Sequence, residues 1–177
     1  MDKKCKDCEF NRIDDPQSLW ELEAGTIANL SLWLRLSTGI VHNAVEGKEI
    51  PPELQKELDE MVKSANVMCD NALDWIDYHE LCRKKEPDFV MDEFLHVRLH
   101  TLTPEGQKLK LEMYKLPASD IISEFYTTLM GRKATYLAVI RKFQPQCGSL
   151  LNQLQIMYDF IDQVNNRYKA WAKKWEK

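Results

Sequence analysis

Leu150, Leu154, Met157, Ile161, Val164, Tyr168, Trp171 and Trp175 follow one another at alternating spacings of four and three residues without a miss. Side chains so spaced share one face of a helix, and an apolar face this long has to be covered along its length by other helices. Three further stretches repeat the pattern. Trp20, Ala24, Ile27, Ser31, Leu34, Thr38, Val41 and Val45 mark a helix over residues 16–46, opened by Asp14, Asp15 and Pro16 and closed by Gly47. Leu30, Leu32, Trp33, Leu36 and Ile40 spread apolar surface around this first helix, which predicts a central element covered on more than one side. After Pro51 and Pro52 a second helix runs to residue 85 on Leu54, Leu58, Met61, Ala65, Met68, Ala72, Trp75, His79 and Cys82. A third covers 119–143 on Ile122, Phe125, Leu129, Arg132, Tyr136, Val139 and Phe143, and the fourth covers 149–176 after a turn. Arg132 stands where its neighbours are apolar, so something unusual is expected to pack there.

Residues 88–117 break the helical period. Leu95, Val97 and Leu99, then Leu109, Leu111 and Met113, alternate with polar residues, and Thr103-Pro104-Glu105-Gly106 between them suits a type I turn. The preferred reading is a β-hairpin, although Thr-Pro-Glu is equally a helix start. The expected fold is therefore mainly α: a four-helix bundle of long helices with a small β-hairpin insertion between the second and third. Residues 1–15 are read as a polar N-terminal tail and 16–177 as a single helical-bundle domain.

At 177 residues the chain buries enough surface to fold without disulfide or metal. Its apolar runs break well before the roughly 18 residues of a membrane span. The net charge of -4 opposes a general affinity for nucleic acid or anionic membrane. The polar start lacks a secretory core, and the five cysteines are odd in number, so they read as reduced thiols or ligands in a cytoplasmic protein.

Cys5-x-x-Cys8 has the spacing of half a zinc site, and His79-x-x-Cys82 offers two more ligands one turn apart. Together they would make a Cys3His set in which one structural zinc clips the tail to the bundle. The competing reading makes His79 and Cys82 part of an apolar seam. Glu93-x-x-His96-x-x-x-His100 is half a di-iron motif with no second copy, and it reads as a solvated face. Glu57-x-x-Glu60 and Asp74-x-x-Asp77 resemble the acidic motifs of all-α nucleotide pyrophosphohydrolases, but both lie on one helix, too far apart to share an ion.

Arg35 and His42, six residues apart, resemble the signature of HEPN-type ribonucleases, which are themselves all-α. That resemblance implies His42 as general base and Arg35 as the group stabilising the phosphorane, commonly across a dimer. Leu36 replaces the polar residue that usually follows the arginine, and these two residues are expected not to be catalytic.

From Pro51 to Cys82 the second helix carries eight acidic residues against two lysines, whereas Arg167, Lys169, Lys173, Lys174 and Lys177 crowd the C-terminal turns among Tyr168, Trp171 and Trp175. Two tryptophans at a helix end need a surface to cover. Tyr168, Trp171, Trp175, Lys173 and Lys174 are thus the candidate partner-binding residues. They are expected to pack on the first helix near Trp20 or on a second chain, whose acidic second helix would complete a homodimer. Nothing converges into a nucleophile-base pair or a phosphate loop. The expected function is that of a small soluble non-enzymatic protein-binding or regulatory protein acting through helix faces. A HEPN-like ribonuclease and a structural zinc protein are the alternatives.

Overall fold

The computed structural model describes residues 16–84 and 96–175 of the chain, and those residues form five helices. They are α1 (Pro16–Val45), α2 (Pro52–Cys82), α3 (Pro104–Tyr114), α4 (Ala118–Phe143) and α5 (Gly148–Trp175). The four long ones match the four apolar seams. Gly47 follows α1 at φ 69°, a left-handed conformation that glycine adopts without a Cβ clash, and the chain reverses there towards Pro51.

α1 is the hub, packing against α2, α4 and α5, while α4 and α5 also pack on each other. Ile27, Leu30, Leu34 and Val41 of α1 are fully buried among Leu58 and Trp75 of α2, Leu129 and Tyr136 of α4, and Leu154 and Ile161 of α5. Burying a side chain of this kind is worth about 1.5–3 kcal/mol, so the hub carries much of the folding free energy.

The expected hairpin is absent: no strand occurs among the described residues, and the sequence proposed as its second strand is α3. Thr103 is the N-cap, accepting from the Gly106 amide through Oγ1 at 3.2 Å, and Pro104 follows at the first helical position. The alternation of Leu109, Leu111 and Met113 misled because burial follows the helical set Gln107, Lys110, Leu111 and Tyr114. Tyr114 is fully buried, whereas Leu109 is 72% exposed. A small second core of Tyr78, Leu99 and Tyr114 seats this segment on α2. Arg98 bonds Asp74 and Asp77, and Lys110 bonds Asn71 and Asp74, so the acidic residues of α2 are partly neutralised by the segment that docks there.

A second correction concerns α5. Its interior stripe is Leu154, Tyr158, Ile161, Asn165 and Tyr168, while Met157, Val164 and Trp171 of the expected seam lie at its half-buried edge.

Candidate functional site

The rotation of α5 opens a groove of about 630 Å³ between the first turns of α1 and the last turns of α5. Leu22, Gly25 and Thr26 form one wall and Val164, Tyr168 and Trp171 the other, with Glu21 and Arg167 at the rim. Gly25 makes the floor hollow, since a Cβ built there would meet nothing within 4 Å. The two helices run antiparallel: Leu22 shares the groove with Trp171, and farther along Trp33 meets Phe160 edge-on at 5.1 Å between ring centroids.

Beyond the groove the same faces bulge. Leu22, Gly25, Asn29, Leu32 and Leu36 are spaced by three and four on α1, as are Ile156, Phe160, Val164, Arg167 and Trp171 on α5, so each set lies along one helix face. Leu32 and Leu36 are 51% and 49% exposed, and Ile156 and Phe160 67% and 46%. A hollow at one end and four exposed apolar side chains at the other thus share one two-helix surface. The seams follow the interior stripes; the signal for this face was Leu32 and Leu36 among the apolar residues spread around the first helix, and the second run of threes and fours on α1 is what joins them to Leu22 and Gly25.

Of the expected partner-binding residues, Tyr168 is buried against the groove wall and Trp171 half-buried within it, while Lys173 and Lys174 are exposed on the last turn. The side chain of Trp175 lies outside the described residues. Burial, with the Glu23 and Asp120 carboxylates nearby, pushes the Tyr168 phenol up to about 12. Burial likewise raises Glu23 above the ordinary carboxylate range. The end of α5 thus packs on the first helix near Trp20, beside Leu22, but the Trp20 ring itself faces elsewhere. It turns to α2, stacking on Trp75 at 5.7 Å and donating from Nε1 to Glu80 at 3.0 Å.

His79 completes that second cluster, its ring 4.0 Å from Trp75 and its Nε2 2.8 Å from the Tyr114 carbonyl. A carbonyl only accepts, so Nε2 carries the proton and Nδ1 is the nitrogen with a lone pair for a metal. Burial lowers the His79 pKa, and the Tyr114 bond opposes this in part. Cys82 lies half-buried one turn on. Cys5 and Cys8 of the expected zinc set lie outside the described residues, among which no three His, Cys, Asp or Glu converge on one point. Glu93 also lies outside them, while His96 and His100 are exposed.

Arg35 and His42 do line one shallow cleft between α1 and α2, of about 140 Å³, together with Thr38 and Asn66. Arg35 is already bonded to Asp70 at 3.0 Å, and His42 stands 3.7 Å from Asp59. A phosphate entering here would meet the Asp70 carboxylate beside Arg35 and the Asp59 carboxylate beside His42, an arrangement unsuited to stabilising an anionic transition state.

Arg132 is the unusual packing that its position announced. It is buried on α4 and spans to both neighbours: Nη1 donates to Met61 O, Thr38 Oγ1 and Tyr136 OH, and Nη2 to Ser64 Oγ at 2.8 Å. All four acceptors are neutral.

No described helix is long and apolar enough to cross a membrane. Comparison of the chain with protein-family models, curated proteins and solved structures finds no match.

Proposed function

We propose that this chain is a non-enzymatic protein-binding protein, regulatory in role, that acts through the paired faces of α1 and α5. The observation that carries this reading is the juxtaposition of the Gly25 hollow with exposed Leu32, Leu36, Ile156 and Phe160. Apolar side chains this large, gathered on one face beside a cavity, mark an interaction surface, because scattered surface leucines do not form a continuous stripe. Two antiparallel helices with a trough between them suit an amphipathic helix, which would set side chains at every third and fourth position into the trough. Arg167 at the groove rim and Lys173 and Lys174 on the last turn favour an acidic flank on that helix.

A photo-crosslinking residue at position 36 tests this in the cells that make the protein. A protein adduct from position 36, with none from exposed position 108 on α3, is the expected result; no adduct at either position refutes the reading. The nuclease alternative is disfavoured by the carboxylates beside Arg35 and His42. The structural zinc reading is supported by the Nδ1 lone pair of His79 and is compatible with protein binding.

A further inference from the structure

We propose that the occupant of the α1/α5 face is a second copy of this chain, related by a two-fold axis lying in the face and perpendicular to the helices. This rests on the preceding reading of the face as an interaction surface, and sets the matching face of a second copy there in place of a single helix. The face is unlike at its two ends, hollow at Leu22 and Gly25 and raised at Leu32, Leu36, Ile156 and Phe160. Such an axis inverts the helix direction while keeping α1 opposite α1 and α5 opposite α5, so the raised end of each copy enters the hollow end of the other. In an isologous interface every contact occurs twice, and one surface carrying both a hollow and its filling is self-complementary in that way. A two-fold along the helices would instead set raised end on raised end.

Charge agrees with this register. Setting Leu36 over the partner's Leu22 centres the axis at Asn29. Arg35, which within its own chain bonds Asp70 at 3.0 Å, then also falls within a turn of Glu21 of the other copy, and the two residues lie on the same edge of the α1 stripe. The pair sits at the rim, where it would select orientation more than it adds affinity. The stripe from Leu22 to Leu36 is about 21 Å long at 1.5 Å per residue, and two helices packed about 9 Å apart make it about 20 Å wide. That footprint, about 420 Å² on each copy and about 840 Å² in all, lies below the roughly 1,200 Å² of stable complexes and in the range of weak, transient ones, so the dimer is a readily reversible one.

Sedimentation equilibrium of the full chain from about 5 to about 200 μM tests the proposal, the range being chosen for a micromolar dissociation constant. The expected result is a concentration-dependent rise from 20.8 kDa towards twice that mass. Leu36→Glu and Ile156→Glu should each abolish the rise while helicity is kept, since the two side chains are already 49% and 67% exposed in the single chain. Glu21→Arg and Arg35→Glu should each weaken the dimer by about three- to tenfold, and the double variant should recover it. A single-chain mass at every concentration overturns the proposal, as does a dimer indifferent to both glutamates; singles that weaken with no recovery in the double overturn the antiparallel register. A single-chain mass together with a foreign adduct from position 36 removes the second copy and leaves the binding reading standing, whereas no adduct removes both.

Discussion

Arg132→Ala and Arg132→Met should separate what the buried guanidinium does by packing from what it does by charge. The side chain is 8% exposed and lies among α1, α2 and α4. Among the described residues no carboxylate pairs with its charge, so bonds to neutral oxygens must offset a desolvation cost of several kcal/mol. Alanine removes the stem as well as those bonds. Two methylenes, Cγ and Cδ, at about 0.8 kcal/mol each, plus an incompletely collapsed cavity, give a loss of about 2.5–3.5 kcal/mol.

Methionine keeps the stem and loses only the polar end. What it leaves behind is nearly satisfied: Thr38 Oγ1 and Tyr136 OH remain 2.6 Å apart and bonded to each other, Met61 O lies within helix α2, and Ser64 is exposed and takes water. With the desolvation cost also recovered, the loss is about 0–1.5 kcal/mol. At about 2–4 °C per kcal/mol for a domain of this size, the alanine variant should melt roughly 5–10 °C below the methionine variant. Thermal unfolding followed by circular dichroism at neutral pH, with denaturant midpoints as a check, reads the difference. If methionine costs as much as alanine, the hydrogen-bonded charge outweighs its own desolvation, and the reasoning that discounts it is wrong.

Two other outcomes follow from the α2 cluster. Since burial depresses His79, the unfolded chain binds more protons than the folded one below the ordinary imidazole value of about 6.5. Stability should therefore fall as pH drops through about 6.5 and level off below the folded-state pKa, and denaturant midpoints at pH 7.5 and 5 should differ less for His79→Gln than for the parent chain. If Cys5, Cys8, His79 and Cys82 hold one structural zinc, protein purified without chelator should carry about one zinc per chain, and Cys82→Ser should lower that content; less than about 0.2 zinc per chain leaves His79 and Cys82 as core residues only.

Spacing alone determined which residues share a helix face. Leu34, Val41, Leu58, Ala65, Tyr136 and Ile161 were assigned to seams by threes and fours, and all six are buried. The reason is that a helix turns by a constant angle per residue, so a face is a local property of the chain. Which face ends up inside is not local. On α5, Tyr158 and Asn165 went in and Val164 and Trp171 came to the edge, because α1 and α4 arrive from directions that no repeat within α5 encodes. The same holds for Thr103-Pro104-Glu105-Gly106, where turn and helix start are nearly balanced locally and the docking of Tyr114 on Tyr78 tips the segment to helix. Trp20 was legible as a buried residue but not as a partner of Trp75, since direction around a helix acquires meaning only when a neighbour is in place. The exposed stripe of Leu32, Leu36, Ile156 and Phe160 is the residue of that process: apolar positions were written into both helices, and only the packing of the other three left them facing outward.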